Sequence, residues 1–158
     1  MKKFFLAVMA AVALCACNGE REYVDYRGLS LGMSAKAMCD SLVSRGYEVD
    51  TNYTTEQAYV LNNGKMLCRI DIMHYNDTIS DVLESYAATY NDSTSELWQQ
   101  MRDSLYELQG RMPEMTHRAD LHKEALFQNE KGTIIVKLLN TYSPTLSIRY
   151  STNNMLRE

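Results

Sequence analysis

The chain has 158 residues, of which 46% are hydrophobic and 23% are charged. With 7 Gly and 2 Pro, the composition is that of a globular protein, and it argues against collagen, wholesale disorder and a polytopic membrane protein. A net charge of -4 argues against a nucleic-acid binder, which normally carries a basic surface. The length fits one domain or two small, closely packed halves.

The start of the chain has the pattern of an export signal. Two lysines follow the initial methionine, and the uncharged apolar run after them is too short for a bilayer, which needs about 20 apolar residues. The run ends in Leu14-Cys15-Ala16-Cys17, which resembles the bacterial lipobox, where the final cysteine takes the lipid. We therefore predict a lipoprotein signal peptide over 1–16. An ordinary signal peptide with a chance cysteine at its end is the alternative.

Lipidation of Cys17 would make this protein a lipoprotein of the outer membrane in the cell envelope. Two acyl chains suffice for stable anchoring, because each buried CH₂ contributes about 0.8 kcal/mol. Residues 17–25 are predicted to be the lipidated tether, 26–152 a single domain and 153–158 a frayed tail. The acids in Glu20-Arg21-Glu22 resemble the surface-export signals of Bacteroidetes lipoproteins, but they fit a solvated linker equally well. The periplasmic and surface locations both stay open.

Two cysteines remain after processing, and each lies on the apolar face of a predicted element. Cys39 falls in a helix and Cys68 in a strand, and an oxidising compartment allows a disulfide between them. A helix packed on a sheet holds the backbones about 10 Å apart, however, whereas bridged Cα atoms lie within about 7 Å. Two buried free thiols are therefore favoured over a bridge. The sequence has no CxxC pair, so neither a zinc site nor thioredoxin-type chemistry is indicated.

The first half of the domain is predicted to contain one helix and three or four strands. Ser34 suits a helix N-cap and Gly46 the residue after the C-cap, and the apolar residues between them recur at helical spacing. Asn63-Gly64 is a strong hairpin signal, because a type I′ turn needs positive φ at both positions. Residues 78–87 fit either a capped helix or an edge strand. The other predicted elements are an extended segment at 26–31, the helix at 35–45, and strands at 47–50, 56–61 and 65–75.

The second half repeats this order, with a helix followed by strands. The helix begins at Ser93 or Ser95 and ends near Gly110, and the segment 112–123 is predicted to be a polar loop. We predict an α+β fold of two amphipathic helices packed on antiparallel β-sheet, in the order α-β-β-β-(β)-α-β-β-β. The repeated order suggests an internal duplication. Strands follow at 124–129, 133–139 and 145–151, and the two halves are 26–90 and 91–152.

Four motifs follow one another along the domain: Tyr26-Arg27-Gly28-Leu29, Gly32-Met33-Ser34, Leu42 with Gly46-Tyr47, and Trp98 with Leu105, Leu108, Gly110 and Pro113. Their order resembles that of small uncharacterised lipoproteins of gut Bacteroidetes. This resemblance implies a two-layer α/β fold like that of beta-lactamase-inhibitor proteins and small outer-membrane assembly lipoproteins, with 78–87 as a strand. It implies no activity. In this chain, Arg111-Met112 lengthens the Gly-x-Pro step that usually follows the second helix.

The sequence contains no recognisable catalytic motif. His117, Asp120, His122 and Glu124 are close in sequence, but they lack the HExxH spacing, so a solvated loop is favoured over a metal site. His74 has a simple explanation as a polar strand end. The Gly-x-Ser-x-Gly elbow, the GxGxxG loop and the Walker loop are all missing from the sequence. We therefore predict no catalytic residue, no metal and no cofactor apart from the lipid on the N-terminal cysteine.

Tyrosine is the residue type that most suggests a binding surface, because its ring buries area while its hydroxyl keeps a hydrogen bond. Tyr23, Tyr26 and Tyr53 lie outside the clear elements and are the interface candidates. We predict a non-enzymatic binding or scaffolding module that contacts another envelope protein. The alternatives are a carrier or hydrolase of a small envelope ligand, using a cleft between the halves, and a purely structural lipoprotein. A deep polar pocket near His74 or His117 would favour the small-ligand alternative.

Overall fold

A computed structural model describes residues 24–63, 68–87, 91–118, 122–139 and 144–152. Within these residues, two helices pack on one face of an antiparallel sheet, so the α+β prediction is confirmed. Each helix is followed by four strands. The elements are β1 (Asp25–Tyr26), β2 (Leu29–Ser30), α1 (Ala35–Ser44), β3 (Glu48–Val49), β4 (Ala58–Asn63), β5 (Cys68–Tyr75), β6 (Thr78–Ala87), α2 (Asn91–Gln109), β7 (Glu114–Arg118), β8 (His122–Gln128), β9 (Gly132–Leu139) and β10 (Thr145–Thr152).

The main sheet joins the two halves through their last strands. Its order is β3-β4-β5-β6-β10-β9-β8-β7, and every neighbouring pair is antiparallel. At the centre, β6 pairs with β10 in a register that places Ser85 opposite Ser147 and Val82 opposite Tyr150. The halves are therefore arranged with approximate two-fold symmetry about the β6–β10 seam, as expected of two similar helix-and-four-strand units.

One face of the sheet is covered by the helices and carries the core. Ile70, Val82, Val136 and Leu146 alternate along their strands with polar or half-buried residues, and they pack with Leu42 of α1 in one hydrophobic cluster. Trp98 of α2 belongs to the same cluster, and its indole N–H donates to the Val136 carbonyl over 3.4 Å. The amphipathic helices therefore form a single layer against one side of the sheet.

Helix α1 is fixed at both ends by local sequence. Ser34 Oγ accepts the Ala37 N–H over 3.2 Å, as an N-cap does, and Gly46 has φ 92° just after the helix. The carboxylate of Asp77, from the turn between β5 and β6, accepts the Lys36 N–H over 2.9 Å. A second, distant side chain therefore caps this helix, and the sequence gives no sign of it.

Two predicted boundaries are wrong. Residues 112–123 are not one polar loop, because β7 occupies Glu114–Arg118 and β8 already begins at His122. As the edge strand, β7 pairs with a single neighbour, so its ladder forms without the apolar alternation that identifies a half-buried strand. The predicted tether also ends too late, because Val24 is buried in the core and Asp25 lies in β1.

Other expectations are met or fall outside the described residues. The segment Thr78–Ala87 is a strand, as the family resemblance implied, and α2 begins at Asn91, slightly before the predicted serine caps. The predicted hairpin turn at Asn63-Gly64 includes Gly64, which lies outside the described residues. The signal peptide and the tail at 153–158 lie outside them as well.

Candidate functional site

The predicted site residues are scattered in the structure and do not form one site. Cys17 and Tyr23 lie outside the described residues. Cys39 and Cys68 are buried and free, which is the favoured one of the two alternatives. Burial raises the pKa of both thiols, and with the nearby Glu84 it raises the pKa of Cys68 to about 12, so both thiols are poor nucleophiles at neutral pH.

Tyr26 is not an interface residue, and this prediction is wrong. Its side chain is 0% exposed, its ring meets the edge of Tyr150 with 5.1 Å between centroids, and its hydroxyl accepts the Arg27 Nε–H over 3.1 Å. Burial holds the pKa of its hydroxyl far above the usual value. Tyr53, in contrast, is 60% exposed, with the Arg69 guanidinium 5.0 Å from its ring centroid. Among the described residues, Tyr53 is therefore the interface candidate that lies at the surface.

A buried polar cluster occupies the middle of the helix-covered face. Glu84 on β6 is 2% exposed and forms an ion pair with Arg27. Its carboxylate also accepts the Tyr86 O–H over 2.5 Å and the Cys68 S–H over 3.3 Å. Because Glu84 is buried, these donors enclose its carboxylate within the core. The cluster joins the β1–β2 hairpin to the centre of the sheet, and we assign it a structural role.

The hairpin that delivers Arg27 has an unusual backbone. Arg27 and Gly28 have φ values of 51° and 73°, as the two central residues of a type I′ turn do. A side chain in this left-handed region is uncommon, so the turn holds a mildly strained residue in place for its ion pair. Sequence analysis missed this pair. The available signal was Glu84 itself, which falls between Val82 and Tyr86 on the core-facing side of an alternating strand.

The sheet face opposite the helices has no helix packed on it in the described part of the chain. We call this surface the open face. Two ion pairs lie on it: Arg69 Nη2 is 2.7 Å from Asp71, and Arg149 Nε is 3.2 Å from Asp81. Apolar side chains lie half-buried between these ion pairs. The open face includes Met73, Leu83, Leu126 and Ile135 among the apolar residues, and Arg69, Asp71, Asp81, Ser85, Ser147 and Arg149 among the polar ones.

A shallow groove of about 570 Å³ lies on the open face, over the seam between the halves. We call it the seam groove. Leu83 provides apolar surface in this groove, and Arg69, Ser85 and Ser147 provide hydrogen-bonding groups. The remaining described lining residues are Asn62, Asn63, Cys68, Tyr86, Thr145 and Leu146.

A second cavity of about 510 Å³ lies where the described chain begins. We call it the entry cavity. Val24, Arg27, Leu105, Leu108 and Lys131 are among its lining residues, so it opens between the hairpin, the end of α2 and the β8–β9 turn. This cavity belongs to the helix layer, on the opposite side of the sheet from the seam groove.

The histidines do not build a site in the described part of the chain. His74 stacks on Tyr59, with 5.1 Å between ring centroids, and lines neither the seam groove nor the entry cavity. His122 Nε2 lies 3.4 Å from the Glu124 carboxylate without a hydrogen bond, and nothing is described of the His117 side chain. Among the described residues, no three His, Cys, Asp or Glu side chains could together hold a metal ion.

Comparison with known proteins adds no relative. No protein-family model, no curated protein and no solved structure matches the chain. The resemblance to Bacteroidetes lipoproteins therefore stays a prediction. Neither of the described helices is long and apolar enough to cross a bilayer.

Proposed function

We propose that this protein is a lipid-anchored, non-enzymatic module of the cell envelope that binds another protein through its open face. The observation that carries the proposal is the seam groove, which combines apolar surface with hydrogen-bonding side chains on a sheet face that the described helices leave uncovered. Protein interfaces have this anatomy, with an apolar centre and hydrogen-bonding groups around it.

Two ion pairs on the open face favour docking of a partner. Because Arg69 pairs with Asp71 and Arg149 with Asp81, a partner that covers them does not isolate a single charge from water. The apolar surface of Leu83 in the seam groove can receive one apolar or aromatic side chain. We therefore expect a partner with a protruding apolar residue, surrounded by groups that hydrogen-bond to Ser85 and Ser147.

The shape of the seam groove favours a protein over a small ligand. Small-molecule sites are concave and bury most of the ligand surface, whereas this groove lies on the exposed surface of a sheet. Among the described residues that line it, the hydrogen-bonding groups include no His, Asp or Glu that could serve as the general base of a hydrolase. We therefore place the carrier or hydrolase hypothesis second.

A charge substitution on the open face tests the proposal. In Leu83→Arg the floor of the seam groove becomes charged, and Val43→Arg is the matched control, because Val43 is an exposed apolar residue of α1 on the other side of the sheet. After cross-linking in native membranes, we expect Leu83→Arg to reduce recovery of the partner at least about tenfold and Val43→Arg to leave it unchanged. Equal recovery with both variants, each shown to be folded, would refute docking on the open face.

A further inference from the structure

One end of the sheet is the end at which the chain enters the fold. Val24 lies beside Gly132, because a Cβ on that glycine would come within 2.6 Å of Val24 Cγ2. Gly132 starts β9 and pairs with Thr152, the last residue of β10. The register of β10 with β6 and the Tyr75–Thr78 pair place the β5–β6 turn at the same end. We call this end of the molecule the tether end.

The tether end carries the three most exposed large apolar side chains of the described residues. Met112 is 77% exposed, Leu108 is 74% exposed and Tyr75 is 73% exposed. Leu108 edges the entry cavity together with Val24, Met112 follows the end of α2, and Tyr75 precedes the β5–β6 turn. The next in exposure is Tyr53, which lies over Arg69 near the other end of β5. The concentration of exposed apolar groups at one end requires an explanation.

The length of the predicted tether limits the distance between the lipid and the tether end. Cys17 and Val24 are seven residues apart, and a chain of that length reaches at most about 25 Å when fully extended. A lipid on Cys17 therefore holds the tether end close to the bilayer. The β5–β6 turn and the β8–β9 turn both lie at this end, about 14 Å apart across three strand spacings. Side chains near both turns can therefore touch one flat surface together.

We propose that the tether end rests on the phospholipid bilayer, with Leu108 and Met112 inserted into the interface and Tyr75 at headgroup level. Tyrosine rings favour this level because one edge is apolar and the other is polar. The charges at this end are mixed in sign, Arg111 and Lys131 lying among Glu130 and Asp77, so apolar contact drives the interaction. This inference rests on the lipid anchor of the proposed function but not on its protein partner.

This placement orients the rest of the molecule. Ser147 lines the seam groove and lies five residues before Thr152 along β10. Five residues of strand span about 17 Å, so the groove is about 17 Å from the tether end. The seam groove also lies on the opposite side of the sheet from the entry cavity. A domain standing on its tether end therefore presents the open face away from its own anchor, where a partner can reach it.

Depth-dependent quenching tests the contact on the full chain, purified with its lipid and reconstituted in phosphatidylcholine vesicles. Leu108→Trp is compared with Tyr53→Trp, and Met112→Trp repeats the test at a second site. The native Trp98 is buried and gives the same background in each. With bromine-labelled acyl chains, we expect Trp at 108 or 112 to lose at least about twofold more fluorescence than Trp at 53. Raising the salt from about 0.1 M to about 1 M should change this little.

Each outcome is decisive. Equal quenching at the three positions, or quenching abolished by salt, would overturn insertion of the tether end. The mass of the purified chain shows separately whether Cys17 carries acyl groups, and an unmodified cysteine would overturn both this inference and the anchor. Failure of the Leu83→Arg experiment, in contrast, affects only docking of the partner on the open face.

Discussion

Replacing Arg27 by methionine should destabilise the fold through a residue 57 positions away. The substitution keeps most of the side-chain length but removes the guanidinium that pairs with Glu84. Glu84 is 2% exposed, so its carboxylate cannot gain water without opening the core. We expect the loss to appear as a lower free energy of unfolding.

The expected size follows from the environment of the pair. Removing one partner of a fully buried ion pair costs about 3–5 kcal/mol. The Arg27 side chain is 32% exposed, and Tyr86 and Cys68 still donate hydrogen bonds to Glu84, so we expect about 2–3 kcal/mol here. The double variant Arg27→Met with Glu84→Met replaces both charges by apolar groups. Its cost should be at least about 1.5 kcal/mol less than the sum of the two single costs.

Urea unfolding followed by Trp98 fluorescence measures these values, because Trp98 is buried and is the single tryptophan of the chain. A loss of about 2–3 kcal/mol corresponds to a midpoint shift of about 1 M. Arg111→Met is the control, since its guanidinium donates to the Gln128 backbone carbonyl at the surface and not to the β1–β2 hairpin. An Arg27→Met variant as stable as the control, or strictly additive single costs, would refute the assigned role of the pair.

Three further predictions concern single residues. In Gly132→Ala the new Cβ would lie 2.2 Å from the Ser151 carbonyl oxygen, so we expect a loss of about 1–3 kcal/mol in urea unfolding, and wild-type stability would contradict this close approach. Burial raises the pKa of the Cys68 thiol from 9.0 to about 12. The contribution of the protonated thiol to the free energy of unfolding is therefore complete below pH 9 and falls as the pH rises towards 12. Cys68→Ala should therefore flatten the decline of unfolding free energy over this range, and an unchanged slope would count against the raised pKa. The hydrogen bond from the Lys36 N–H lowers the pKa of the Asp77 carboxyl from its usual 3.8. The ionised carboxylate therefore stabilises the fold above pH 3.8, and this stabilisation is lost as the pH falls through the lower pKa of the folded state. Asp77→Ala should lower the melting temperature at neutral pH and lose that acid dependence, whereas a variant that melts like wild type would show that the cap is dispensable.

The sequence predicts elements whose signals are local. Ser34 and Gly46 mark the ends of α1 because capping depends on a few adjacent residues. The edge strand β7 escapes prediction because its pairing with β8 comes from tertiary structure, not from its own apolar pattern. Thr78–Ala87 fits both a helix and a strand locally, and its position between β5 and β10 makes it a strand.

The candidate site is less predictable than the fold. Leu83, Ser85 and Ser147 meet only when β6 pairs with β10, and no spacing in the sequence links these strands. Tyr26 illustrates the converse error, because a tyrosine outside a clear element becomes a core residue once the hairpin folds onto the sheet. Long-range strand pairing therefore builds the open face, whereas the proposed lipid anchor is predicted from a local sequence motif.

Site-specific photo-cross-linking in the native envelope tests the central claim most directly. A photoreactive phenylalanine analogue replaces Ser147 beside the seam groove or, as a matched control, the exposed Ser44 of α1. We predict one adduct of defined mass from position 147, lost when Leu83→Arg is added, and none from position 44. No adduct at 147, or the same adducts at both positions, would contradict a protein-binding role for the open face.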